Sequence, residues 1–228
     1  MEETVMNRRN VAALALCILC AVIFAGCSII EVDPSSYPKM EPVDVSSYTL
    51  AEAANDQASV SYDSENWVQE ESAALLTLLL AETKDDANMV NISLQVSSEY
   101  EGPFTNSDRK ALYRTFSSYG YISFDAFELR RIDNDIIIYM DMTTKFTEKN
   151  IDNMLEKGLL TEEAMESVGG RDYLLSMPTT YQTMIYAIRD GRICVYTGTC
   201  YSKEHKQLVQ DQMLLMIDST KVLAAPEA

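Results

Sequence analysis

Histidine is almost missing from this 228-residue chain: His205 is the only one, set in the stretch YSKEHKQ. A hydrolytic triad needs a histidine base beside a nucleophile, and histidine zinc sites need several clustered ligands, so the material for either is short. His205 reads as a solvated or helix-capping residue. No nucleophile-elbow motif occurs. Glycine is scarce too, at 8 residues, and the Gly169-Gly170 pair lacks the following Lys-Ser/Thr of a phosphate loop. It reads as a helix stop. Cysteines stand only at positions 17, 20, 27, 194 and 200. With two of them in the C-terminal half there is no disulfide scaffold, and the fold must be held by its apolar core.

Positive charge is short. Lys and Arg number 18 against 35 Asp and Glu, a net charge of -17. That balance repels a polyanion, which excludes nucleic acid as the natural partner, and it repels an anionic bilayer for the same reason. Abundant carboxylates make any one pair uninformative. Asp133, Asp135 and Asp141 bracket the stretch IIIYM, but the central glycine and distant glutamate of a calcium loop are absent, so turn chemistry explains the first two. We expect no metal, no cofactor and no catalytic residue. A hydrolase using paired carboxylates is the alternative, although no spacing selects two of these acids.

Long apolar runs are also lacking. The longest uncharged one spans residues 11–26, 16 residues, against the roughly 20 that a spanning helix needs. Arg8 and Arg9 precede it, and Phe24-Ala25-Gly26-Cys27 ends it. A positive start, an apolar middle and a small-residue end form an export signal. The Ala25-Gly26-Cys27 triplet resembles the lipobox of bacterial lipoproteins, with Phe24 where that family usually has Leu. The resemblance implies cleavage after residue 26, a diacylglyceryl group on Cys27, and a domain facing outside the cytoplasm at the bacterial cell membrane. Glu2 and Glu3 suit a signal poorly, so translation starting at Met6 is the better fit to the charge order. The chain from Cys27 onward keeps the net charge of -17, because two acids and two bases leave with the leader.

Residues 27–58 carry Pro34, Pro38 and Pro42 among serines and acids, without periodicity, and are expected to form the lipidated cysteine and an acidic tether. A single domain is expected over 59–224. Val60 and Tyr62 alternate with serines, residues 74–82 read as a buried strand with a short buried helix as the alternative that periodicity leaves open, and Val90, Ile92, Leu94 and Val96 alternate with polar residues. Ser107 is the expected cap of a helix carrying Ala111, Leu112, Tyr113 and Phe116. Residues 136–142 form the most β-branched stretch, and Thr147 and Thr161 each head a helix. Asp190-Gly191 between two apolar runs is a hairpin signal. Val209, Met213 and Met216 align on one face of a last helix, and Lys221-Val222 follows as a short strand or tail. This order gives an α+β fold, an antiparallel sheet with helices packed on its face.

The opening at residues 62–67, the paired strands ending at Val96, the Asp190-Gly191 hairpin and the closing helix before residues 218–222 look like the domain of the PsbP/Mog1-like family. The Phe that often closes that family's last segment is absent. The resemblance implies a non-enzymatic binding or assembly factor. Tyrosine is the one aromatic in quantity, 13 residues against a single tryptophan. Tyr113, Tyr119, Tyr121, Tyr181, Tyr186 and Tyr196 are the candidate binding surface, since tyrosine joins rigid apolar area to a polar tip. The expected partner is an envelope protein, peptide or glycan, with the membrane reached through the lipid on Cys27; a small-ligand receptor is a further alternative, although the usual two-lobed form needs a longer chain. Cys194 and Cys200 lie six apart, so one continuous strand would hold them about 20 Å apart and forbid a bond. A turn at Thr197-Gly198 would instead bring them together in an oxidising compartment; with the hairpin already supplied by Asp190-Gly191, free, packed thiols are the expectation.

Overall fold

Ten strands and five α-helices follow one another in the computed structural model, which describes residues 33–70 and 75–223. Cys27 and the export signal lie outside the described residues. Strands β1 (Leu50–Ala54), β2 (Ala58–Asp63) and β10 (Lys221–Val222) form a small sheet ordered β1-β2-β10. The larger sheet runs β3-β4-β5-β9-β8-β7-β6, built from β3 (Trp67–Glu70), β4 (Leu76–Leu80), β5 (Asn91–Glu99), β6 (Ile122–Ile132), β7 (Asp135–Thr144), β8 (Thr180–Arg189) and β9 (Arg192–Cys200). Every strand pair in both sheets is antiparallel. The fold is α+β, with helices α1 (Asn106–Ser117) on β6 and α5 (His205–Ser219) against β2, β9, β8 and β5.

The turns follow from local chemistry. Asp190 and Gly191 sit at φ 50° and 72°, the two successive left-handed residues that a tight hairpin between twisted strands requires. Part of the expected tether 27–58 is paired: Lys39 bridges Arg131, and strand β1 begins at Leu50. Its sequence LAEAA has little intrinsic strand preference, and only Ala53 in it is buried, so the hydrogen bonds of β2 make it a strand. Contacts also divide the described chain into two compact units. Phe146–Met177 lies in one, and 33–145 with 178–223 forms the other. The first holds α2 (Glu148–Glu156), α3 (Glu162–Ser167) and α4 (Gly170–Ser176) around Ile151, Met165 and Leu174. Thr147 and Thr161 cap α2 and α3 as expected; α4, beginning at Gly170, has no polar cap to announce it.

Helix α5 organises the larger unit. Val209, Met213, Met216 and Ile217 join one apolar cluster with Ala58 and Val60 of the small sheet and with Leu78, Ile92, Leu94 and Tyr196 of the large one. Gly198 on β9 is what lets the helix approach: a Cβ there would stand 2.2 Å from Val209 Cγ1 and 2.6 Å from Met213 Sδ. Gln212, only 2% exposed, completes the open part of β2. Its Oε1 accepts from Asp63 N at 3.0 Å, its Nε2 donates to Ser61 O at 3.4 Å, and Ser219 Oγ accepts from Ser61 N at 2.8 Å. Gln212→Leu keeps the bulk but strands the Asp63 N–H in the interior, so a loss of about 2 kcal/mol is expected in urea unfolding, within the range for a buried donor left unpaired. An unchanged midpoint would mean water reaches that edge.

The outer edge of β6 is closed at several points. Arg131 N donates to Pro38 O at 2.9 Å and Met40 N donates to Arg131 O at 2.8 Å, so the entering chain lies alongside the strand. Arg109 Nη1 of α1 donates to Phe127 O at 3.2 Å, and the ladder shifts register between Phe124 and Ala126. An edge so interrupted is a poor template for another strand.

Cys194 and Cys200 occupy one uninterrupted strand, buried and unbonded. Burial pushes both thiols up to about 11, above their ordinary value of 9.0. A thiol that holds its proton more tightly folded than unfolded stabilises the fold fully below the unfolded value. That contribution is lost as pH rises through the folded one. The urea midpoint should therefore fall between about pH 9 and 11, and Cys194→Ala with Cys200→Ala should flatten that fall. Alkylation of the denatured, unreduced chain should label both cysteines, with neither labelled readily in the folded protein.

Candidate functional site

The six candidate tyrosines do not form one surface. Tyr196 is fully buried and Tyr186 is 2% exposed, which corrects the expectation for both. β8 and β9 are interior strands covered on both faces, so the alternation that marks a wet face elsewhere has no wet face here. Tyr196 instead shares a hydrogen bond of 2.7 Å with Thr220 Oγ1, fixing the end of α5 to β9. Tyr181, half-buried, pairs in register with Cys200 and has the Lys203 ammonium 5.8 Å from its ring centre. Tyr113, Tyr119 and Tyr121 belong to α1 and the start of β6. There the structure does assemble a surface.

That surface is built from the start of α1 upward. The cap is Thr105 rather than Ser107, in a reciprocal capping box with Asp108. Asp108 Oδ2 accepts from Thr105 N and Thr105 Oγ1 at 2.7 Å each and from the Tyr100 hydroxyl at 3.0 Å. Burial first, and the Asp108 charge second, push the Tyr100 hydroxyl up to about 12. With this end fixed, Leu112 and Phe116 point inward and are fully buried. Tyr113, 45% exposed, rests its ring 5.3 Å from both Phe124 and Phe127, which are 5.1 Å apart in an edge-on contact. Tyr119 and Tyr121 lie 5.9 Å apart at the end of the helix.

Lys110 and Arg114 flank Tyr113 on α1, and both are exposed. Neither makes an ion pair among the described residues. Sequence reasoning passed over both, together with Phe124 and Phe127. The signal was available: residues 105–124 hold a single acid, Asp108, in a chain with 35.

The other polar groupings are structural in character. Lys206 at the start of α5 reaches Asp141 at 2.6 Å and Asp125 at 3.7 Å. Gln210 Nε2 donates to the Tyr139 hydroxyl at 2.8 Å, and the Arg130 guanidinium stacks 3.7 Å over the Tyr139 ring. Burial pushes the Tyr139 hydroxyl up to about 12. These contacts bind the helix start to β7 and β8. His205 meets Glu82 at 3.1 Å at the surface, a pairing that binds the last helix to the end of β4. At the hairpin tips a cleft of about 540 Å³ is lined by Asp133, Asp135, Asp190, Asp218 and Arg189. Arg189 occupies the acids' midst, donating to Asp135 Oδ2 at 2.8 Å and to Ile217 O at 3.0 Å. Burial raises the Asp218 carboxyl above the usual carboxylate range. Asp133 and Asp135 thus lie at this tip, while Asp141 lies along β7 with Lys206, so the three acids do not converge. Among the described residues no group of three or more His, Cys, Asp or Glu is placed to hold a metal ion.

Among the described residues no helix is long and apolar enough to cross a membrane. No protein-family model matches the chain, and no curated protein matches its sequence. Among solved structures, the chain is similar to the solution structure of cyanobacterial PsbP from Synechocystis sp. PCC 6803. The identity is 11%, the TM-score is 0.43, and the match covers 88% of this chain and 99% of that one.

Proposed function

We propose that this chain is a non-enzymatic binding or assembly domain, held at the outer face of a bacterial cell membrane by lipid on Cys27. The observation that carries the reading is the Arg8-Arg9 start, the 16-residue apolar run and the Ala25-Gly26-Cys27 end, which together fit a lipoprotein signal. Two acyl chains on one cysteine give a firm anchor, because each buried CH₂ contributes about 0.8 kcal/mol and a single chain holds only marginally. The partner this reading implies is an envelope protein, peptide or glycan.

Mass spectrometry of the mature protein should find an acylated Cys27 at its N-terminus, and Cys27→Ser should leave the chain unprocessed or release it from membranes. An unmodified Cys27 behind an intact leader would sink the proposal. Capture with the anchored protein should return a reproducible partner, and an empty capture would favour the hydrolase alternative.

A further inference from the structure

The α1 face that carries Lys110, Tyr113 and Arg114 has a basic, aromatic character found in no other described helix of this acidic chain. We propose that this face is the surface the domain lays on an anionic bilayer, taking phosphate headgroups at Lys110 and Arg114 with the Tyr113 ring at the interfacial depth. The proposal rests on the anchoring of Cys27 above.

Charge is the first argument. Lys110 and Arg114 are exposed and free of carboxylate partners among the described residues, although the chain offers 35 acids. The single nearby acid in sequence, Asp108, is 6% exposed and accepts hydrogen bonds from Thr105 and Tyr100, turned away from the patch. Fields decay over about 8 Å at physiological salt, so a bilayer touching α1 senses these two cations and not the acids on far strands. The overall charge of -17 disfavours an anionic bilayer, so contact is expected through a locally cationic face such as this one.

Aromatic depth is the second. Tyr113 is 45% exposed yet braced by Phe124 and Phe127, giving a rigid apolar base with a hydroxyl at its rim. Tyrosine with neighbouring cations is the pairing that favours the headgroup level of a membrane.

Reach is the third. The chain enters the folded unit beside Arg131 of β6, through Pro38 and Met40. Residues 33–39 are held by the 3-10 turn over Pro34–Ser36 and the bridge to Arg131, and the six residues from Cys27 to Asp33 span at most about 20 Å when extended. Along β6 from Arg131 to Phe124 is about 23 Å. A lipid on Cys27 would hold the domain near the bilayer, which raises the local concentration of the α1 face there.

The test uses the full-length chain, purified in detergent and reconstituted with vesicles of phosphatidylcholine alone or enriched in phosphatidylglycerol. Amine labelling of Lys110 is read by mass spectrometry against exposed Lys84 and Lys221 in the same molecule. We expect Lys110 to be shielded several-fold on the phosphatidylglycerol vesicles only, with shielding lost in Arg114→Glu and reduced in Tyr113→Ala. Both substitutions fall on exposed positions, and circular dichroism confirms that the fold is kept. Equal labelling of Lys110 on both vesicles while the chain remains attached overturns this proposal and leaves the anchor standing. Shielding by soluble polyglutamate but not by phosphatidylglycerol would assign the face to an acidic polypeptide and overturn it too. A chain that stays in solution with both vesicles overturns the anchor and the proposal together.

Discussion

Trp67→Ala should cost about 4 kcal/mol, a typical loss for deleting a buried indole from a core. Trp67 is the only tryptophan and is 1% exposed although it stands on β3, an end strand of the large sheet. It pairs in register with Leu80 and belongs to the apolar cluster that joins both sheets to α5. Replacing it removes the largest fully buried side chain and leaves a void bordered by a strand with a neighbour on one side only. The unfolding midpoint in urea, followed by circular dichroism, should fall sharply, and Trp67→Phe should restore part of the difference. A loss under about 1 kcal/mol would mean that the strand closes over the gap, since the cost depends on how far a site collapses.

Gly198→Ala should cost about 3 kcal/mol, toward the upper end for overpacking one methyl group. The new Cβ would meet Val209 Cγ1 and Met213 Sδ well inside contact distance. Met213 is unbranched and adapts more readily, but Val209 is β-branched on a buried helix face, and its single favoured χ1 leaves little escape. The helix must therefore lift from β9 or the strand must bend. Trp67 emission reports the outcome, because loosening of the shared core should shift it to longer wavelength. Val209→Ala in the Gly198→Ala background should recover much of the loss, and this coupling separates a packing clash from a general intolerance of strand β9. Strict additivity of the two substitutions would refute the close approach.

Much of the chain's local structure was legible because it rests on neighbours in sequence. The Asp190-Gly191 turn, the caps at Thr147 and Thr161, the buried strand at Leu76–Leu80 and the alternation of β5 each need only a few residues to declare themselves. The sequence favoured free thiols but left a turn at Thr197-Gly198 open, and the unbroken strand β9 closes that choice. Strand β1 and helix α4 were not legible: the first takes its shape from β2, and the second begins at a glycine without a cap.

The candidate surface divides in the same way. Sequence alone chose tyrosine as the residue type and named Tyr113, Tyr119 and Tyr121, but it also named Tyr186 and Tyr196, which are core. Period-two alternation tells which side chains share a face and not whether that face meets water, and successive residues of β8 and β9 are buried on both faces. Helix α5 shows the limit most plainly. Its aligned Val209, Met213 and Met216 announced one apolar face, while Gln212, Leu214 and Leu215 are buried as well, because two sheets rather than one receive the helix. Composition and spacing determined the charge and the α+β class, properties summed over short stretches of chain. Tertiary structure decided which residues stay exposed, because exposure depends on what distant segments cover, and it alone left Lys110, Tyr113 and Arg114 together in the open.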